Sequence, residues 1–228
     1  RSAFKAVMDN KQVAILVPTT LLAEQHFITF KERIKDFPVT VEMISRFRTK
    51  GETNRILEEA EKGSIDILIG THAILRKDIK FKDLGLVIID EEQRFGVKDK
   101  EKLKKIRLLV DVLTLTATPI PRTLYMSLMG VKDMSIIQTP PHDRLPVEVI
   151  VSEYDDNLIK KAILFEKKRK GQVFFVHNRI QGIEKIADRI SGLAPEARVA
   201  VAHGRMHSKE LEGIMRDFMK GNVDVLVS

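Results

Sequence analysis

The chain has 228 residues, with 39 Lys and Arg against 32 Asp and Glu for a formal net charge of +7, long enough for one large or two modest globular units. Its 43% hydrophobic and 31% charged content excludes a disordered chain, and no apolar run approaches the roughly 18 residues of a membrane helix. The absence of Cys excludes a disulfide framework, a thiolate metal site and a cysteine nucleophile; it suits the cytoplasm, and the cationic excess is compatible with a polyanionic partner.

Short apolar runs alternate with stretches of helical period, which predicts an α/β fold with parallel sheets covered by helices. In chain order, strands are expected over Val13–Val17, Val39–Ile44, Ile65–Ile69, Leu86–Ile89 and Val112–Leu115. Helices are expected over Leu21–Lys35 with Thr20 as N-cap, over Lys50–Lys62 with Gly63 as C-cap, and over Lys98–Ile106. The run Thr139-Pro140-Pro141-His142-Asp143-Arg144-Leu145-Pro146 resists both helix and ladder pairing and reads as a linker. A first domain is therefore expected over 1–138, the linker over 139–146 and a second domain over 147–228. The second should hold strands at Val147–Val151, Val173–Val176, Val199–Val201 and Val223–Val227, with helices over Leu158–Lys170, Ile180–Leu193 and Lys209–Lys220. Neither an internal repeat nor a low-complexity tract is evident, and the last strand has no helix after it to cover it.

Chemistry-bearing residues gather just after the apolar strands. Asp90, Glu91 and Glu92 follow Leu86-Val87-Ile88-Ile89, at the carboxyl end of a strand, where an open parallel sheet binds its ligands. One carboxylate there can hold Mg²⁺ through its water shell and the next can take a proton from an attacking water, so Asp90 is the metal candidate and Glu91 the base. The bland alternative is an acidic turn. Thr116 and Thr118 end a second strand before Pro119, as hydrogen-bonding hydroxyls or as an ordinary Thr-rich turn. Pro18, Thr19 and Thr20, and likewise Gly70 and Thr71, open from a strand into helical sequence, a setting that suits phosphate oxygens or simple helix capping. Asn178 and Arg179, and His203, Gly204 and Arg205, follow strands of the second domain and could grip a phosphate backbone or be loop polarity. His177, His203 and His207 lack zinc-site spacing, and no G-x-x-x-x-G-K-[ST] loop occurs.

In order and spacing, Val17-Pro18-Thr19-Thr20-Leu21-Leu22-Ala23-Glu24-Gln25-His26, Gly70-Thr71-His72, Asp90-Glu91-Glu92-Gln93-Arg94-Phe95-Gly96-Val97 and Thr116-Ala117-Thr118-Pro119-Ile120-Pro121-Arg122-Thr123-Leu124 resemble motifs Ia, Ib, II and III of superfamily 2 helicases. The extended second and third motifs are similar to the branch shared by bacterial transcription-repair coupling factors and RecG branch-migration helicases. Ser45-Arg46-Phe47-Arg48, Phe81-Lys82-Asp83-Leu84-Gly85-Leu86 and Thr139-Pro140-Pro141 favour the coupling-factor side.

The resemblance implies two RecA-like domains that hydrolyse ATP with Mg²⁺ in the cleft between them and move along double-stranded DNA. It further implies RNA polymerase and excision-repair proteins as partners, reached through regions outside this chain. By motif, Asp90 would hold Mg²⁺, Glu91 would activate water, and Gln93, Thr116 and Thr118 would couple nucleotide to DNA. Pro18, Thr19, Thr20, Arg46, Gly70 and Thr71 would touch the DNA backbone from the first domain, and Asn178, Arg179, His203, Gly204 and Arg205 from the second. Arg1-Ser2-Ala3-Phe4 resembles the helix after the phosphate-wrapping loop, and Ser228 falls where motif V should begin, so these 228 residues alone are not expected to turn over ATP. A RecG-type fork-remodelling helicase, a passive nucleic-acid-binding module and a DEAD-like RNA helicase are the competing readings. The last fits least, because Glu92 stands where Ala is usual and Thr116 where Ser is.

Overall fold

The computed structural model describes residues 1–45, 48–75, 79–106, 109–117, 133–139 and 147–228, which fall into two compact units, Arg1–Gln138 and Thr139–Ser228. In the first unit, helices α1 (Ser2–Met8), α2 (Thr20–Ile34), α3 (Lys50–Lys62) and α4 (Val97–Ile106) surround strands β1 (Gln12–Leu16), β2 (Val41–Ile44), β3 (Ile67–Gly70), β4 (Leu84–Asp90) and β5 (Asp111–Leu115). The strands form one wholly parallel sheet in the order β2-β3-β1-β4-β5. β1 at its centre is buried along its whole length and alternates between two cores. Ala14 and Leu16 pack with Ile56 and Ala60 of α3 and Leu103 of α4, whereas Val13 and Ile15 pack with Ala3 and Val7 of α1 and Ala23 and Ile34 of α2. Burial on both faces is why β1 and β3 read as apolar runs, whereas β5 at the sheet edge is half-buried and admits Asp111 and Thr114.

Local chemistry sets the helix ends. Thr49 and Glu52 make a reciprocal capping box at the start of α3, with the Glu52 N–H donating to Thr49 Oγ1 at 3.2 Å and the Thr49 N–H to Glu52 Oε2 at 2.8 Å. Gly63, at φ +81°, ends α3 in the left-handed conformation, as the sequence predicts. The N-cap of α2 is Thr19 rather than Thr20: Thr19 has extended backbone, and its Oγ1 accepts from the Leu22 N–H at 3.3 Å.

The second unit holds α5 (Asp156–Lys168), α6 (Ile183–Leu193) and α7 (Ser208–Met219) around a parallel sheet of β6 (Val173–Phe175), β7 (Val199–Val201) and β8 (Val225–Val227), in the order β6-β8-β7. Val225 and Val227 face Ile163 of α5 and Ile183, Ala187 and Ile190 of α6, while Leu226 faces Phe218 of α7. The strand expected over Val147–Val151 does not form. Val147, Val149, Ile150 and Val151 are exposed, and no described strand lies beside them to complete a ladder. Residues 140–146 of the expected linker lie outside the described residues.

The two units also correct the expectation of no internal repeat. Shifted by 158 positions and without a gap, Thr40–Gly70 matches Arg198–Ser228, so Lys62-Gly63-Ser64-Ile65-Asp66-Ile67-Leu68-Ile69 pairs with Lys220-Gly221-Asn222-Val223-Asp224-Val225-Leu226-Val227. The hydrogen bonds repeat with it. The Thr40 N–H donates to Asp66 Oδ2 at 2.7 Å and the Arg198 N–H to Asp224 Oδ2 at 2.8 Å. Gln12, just inside β1, donates its side-chain amide to the carbonyls of Ala60 (2.9 Å) and Ile65 (2.7 Å). Gln172, just before β6, donates in the same way to Phe218 and Val223, both at 2.6 Å. These bonds also explain why β3 and β8 begin two residues later than their apolar runs: the carbonyls of Ile65 and Val223 serve a side chain instead of a ladder.

Candidate functional site

Because all five strands of the first sheet are parallel, their carboxyl ends share one edge, and the strand order divides the candidates along it. Gly70 and Thr71 at β3 and Pro18, Thr19 and Thr20 at β1 lie to one side. Asp90 and Glu91 at β4 and Thr116 at β5 lie to the other. Arg46, after β2, and Thr118 are outside the described residues.

Asp90 is the last residue of β4, in register with Leu115 of β5. Its Oδ2 lies 3.0 Å from Nε2 of His26 on α2, both side chains being largely buried. Glu91 follows at φ +52°, ψ +48°, a left-handed backbone that costs a non-glycine residue about 1–2 kcal/mol. Its N–H still bonds the Leu115 carbonyl at 3.0 Å, so the chain turns sharply while remaining anchored to β5. Backbone of this kind persists only where the surrounding structure holds it, here through the bond to Leu115.

A 3-10 turn over Glu92–Arg94 then folds back. Nε2 of Gln93 donates to Oε2 of Glu91, and Oε1 of Gln93 accepts from Thr116 Oγ1 at 3.3 Å. Arg94 brings its Nε to 4.0 Å from the same Glu91 oxygen. One amide thus bridges the candidate base to the hydroxyl that ends β5, which makes Gln93 and Thr116 a physical connection between two strand ends.

On the other side, Thr19 is exposed and Pro18 and Thr20 are half-buried, at the first turn of α2, where backbone N–H groups point outward. Gly70 is buried: a Cβ there would meet the Ile44 carbonyl oxygen at 2.8 Å, and its own carbonyl accepts from the Val17 N–H at 3.0 Å. The strand end therefore has no room for a side chain at Gly70, and Thr71 beyond it is half-buried.

In the second unit, Asn178 and Arg179 are exposed beyond β6, and Gly204 and Arg205 beyond β7. His203 is half-buried, its N–H 3.4 Å from Met206 Sδ and its Nδ1 without a hydrogen-bond partner among the described residues. In sequence, the 158-residue shift sets His203-Gly204-Arg205 on Ser45-Arg46-Phe47 of the first unit. The contact that reading by motif misses is His26, whose helical position seven residues beyond Thr19 gives no hint of a partner on β4.

Among the described residues no group of three or more His, Cys, Asp or Glu side chains could hold a metal ion. Mg²⁺ does not need such a group, because it takes one or two protein oxygens and keeps its waters. No described helix is long and apolar enough to cross a membrane.

Comparison with known proteins is consistent with this geometry. The profile of DEAD/DEAH box helicases matches residues 2–127, more than half of the chain. The chain belongs to the DEAD/DEAH box helicase family. The helicase conserved C-terminal domain matches residues 155–228, and the two parallel sheets are RecA-like. Among relatives of this helicase chain, the transcription-repair-coupling factor of Bacillus subtilis is 57% identical over all of it and 19% of that protein. The Escherichia coli factor is 55% identical over all of it and 20% of that protein. A structure of RecG bound to a three-way DNA junction superposes with a TM-score of 0.72 at 34% identity, covering 96% of this chain and 29% of that one. The chain spans about a fifth of the length of the coupling factors it matches.

Proposed function

We propose that the chain is the ATP-dependent double-stranded DNA translocase module of a cytoplasmic transcription-repair coupling factor, with RecA-like helicase domains over 1–138 and from 147 onward and a linker over 139–146. The observation that carries this is the shared strand edge, where Asp90, Glu91, Gln93 and Thr116 stand beside the β1 and β3 ends that offer Thr19, Thr20 and Thr71. The identity of 57% with a coupling factor along the whole chain, against 34% with RecG, favours the repair assignment over fork remodelling.

In this reading Asp90 holds Mg²⁺, an ion that would neutralise charge on the nucleotide phosphates. Glu91 takes the proton of the attacking water, with Gln93 orienting its carboxylate and passing the arrangement to Thr116. No G-x-x-x-x-G-K-[ST] loop occurs in the 228 residues, which are expected not to turn over ATP by themselves. Thr19, Thr20, Thr71 and Arg46 touch the DNA backbone from the first domain, and Asn178, Arg179, His203, Gly204 and Arg205 from the second. Backbone contacts position without specifying sequence, as a motor that walks over any DNA requires. Displacement of RNA polymerase and recruitment of excision-repair proteins would use other regions of the parent.

The test is ATP turnover by the full-length parent with and without linear duplex, comparing Glu91 with Glu91→Gln. Duplex should stimulate turnover and the substitution should lower it by ~10² or more, the scale of a lost general base. Turnover indifferent to both duplex and residue 91 would leave a passive binding module. Stimulation by three-way junctions but not by linear duplex would move the assignment to a RecG-type helicase.

A further inference from the structure

We infer that His26 is a positioning residue for Asp90 and that it makes α2 the lever by which DNA at the β1–α2 junction reaches the ion site. The inference rests on the reading of Asp90 as the Mg²⁺ residue.

The argument begins with the carboxylate. An ionised Asp only accepts hydrogen bonds, so the 3.0 Å contact requires Nε2 of His26 to carry the proton and donate to Oδ2. That bond engages one oxygen of Asp90 and leaves the other without a hydrogen-bond donor among the described residues. Both side chains are sheltered, with 26% and 20% of their surface exposed, so the bond is screened less than an open surface pair. The His26 ring also lies against Phe30 one turn on, at 6.4 Å between centroids, which limits its swing.

The connection follows from the helix. α2 is a single uninterrupted element from Thr20 to Ile34, started by the Thr19 cap and packed on the sheet through Ala23 and Ile34. At about 1.5 Å per residue, seven residues place His26 roughly 10 Å along the axis from Thr19. A phosphate that draws the first turn of α2 outward therefore moves His26 with it, and Asp90 follows through Oδ2. No other described residue is hydrogen-bonded to the Asp90 side chain.

The test uses the full-length parent and a fluorescent ATP analogue whose binding is followed as Mg²⁺ is titrated, with and without linear duplex. Three variants are compared: His26→Leu, which removes the donor; His26→Asn, polar but too short to reach; and His26→Gln, whose amide can stand in for Nε2–H. Loss of an outer-shell partner typically weakens a metal site by about 10-fold or more. Half-saturating Mg²⁺ is expected to rise about 10-fold in the Leu and Asn variants and to become the same with and without duplex. Wild type should need less Mg²⁺ when duplex is present, and Gln should restore both properties. The Asn variant keeps the test available if Leu disturbs folding.

Wild-type Mg²⁺ dependence in the Leu and Asn variants, or a raised requirement that duplex still lowers as in wild type, would overturn the inference. Asp90→Asn separates the two levels. If it leaves Mg²⁺-dependent nucleotide binding intact, the underlying reading of Asp90 fails. If it abolishes that binding while the His26 variants are silent, only the lever fails.

Discussion

Gln12 offers the sharpest test of what holds the first sheet together, because Gln172 supplies an internal control. Gln12→Met keeps length and volume, so no cavity is opened, and the change isolates polar satisfaction. The side chain is 5% exposed, donates to the Ala60 and Ile65 carbonyls and accepts from the Asp83 N–H at 3.0 Å. Ala60 keeps a second partner, the Gly63 N–H at 3.2 Å, but the Ile65 carbonyl and the Asp83 N–H lose theirs. At about 1–3 kcal/mol for the buried Ile65 carbonyl and less for the N–H of the exposed Asp83, the expected loss is roughly 2–4 kcal/mol, a large share of a typical 5–15 kcal/mol stability. Gln172→Met orphans only the Val223 carbonyl, since the Phe218 carbonyl retains the Gly221 N–H at 3.0 Å, so about 1–2 kcal/mol is expected. Urea unfolding followed by hydrogen exchange would read the two units separately, through peptides covering 12–16 and 65–70 against 172–176 and 223–228. Equal losses in both variants, or a change below about 0.5 kcal/mol for Gln12→Met, would refute the reasoning.

Asp224 takes hydrogen bonds from the Arg198 backbone and guanidinium and from the Lys167 ammonium, and the Arg198 bonds in particular hold its carboxyl well below the usual carboxylate range. A depressed folded value stabilises above the unfolded value near 4 and is lost as pH falls below it; Asp224→Asn should therefore cost about 2–3 kcal/mol at pH 7 and flatten the acid limb of a stability–pH curve. Glu91→Gly should relieve the left-handed backbone at that position and raise stability by about 0.5–1 kcal/mol in thermal unfolding, while removing the proposed base. Gly70→Ala should destabilise by about 1–3 kcal/mol, because the added methyl meets the Ile44 carbonyl oxygen, whereas Gly204→Ala, with nothing within 4 Å, should stay within about 0.5 kcal/mol. Paired denaturation curves of those two variants check the difference.

Much of the fold is legible because doubly buried strands must be apolar throughout: Val13-Ala14-Ile15-Leu16 can be little else between two layers of helices. The end of β4 is legible for the same reason, since Asp90 is the first polar residue after Leu86-Val87-Ile88-Ile89, whereas Thr116 follows a half-buried edge strand that already holds Thr114. What the sequence hides is pairing. Val147–Val151 has strand composition but no described neighbour, and Ile65 and Val223 have it but give their carbonyls to glutamines. Gly70 reads as a phosphate contact, and its buried place against Ile44 is not visible in the sequence. His26 is silent in sequence because its partner lies 64 positions away.

The repeated half-sheet has a further consequence. Its identical polar residues, Gln12 with Gln172 and Asp66 with Asp224, stand at the amino ends of the strands, while the carboxyl ends carry Thr19 in one unit and Arg179 in the other, Ser45 in one and His203 in the other. The foundations were copied and the rooftops were not. The side-chain bonds that secure strand register thus lie at one end of each unit and the proposed DNA contacts at the opposite end, so under that proposal the grip of either unit could be retuned by substitution without reopening the question of how its sheet assembles.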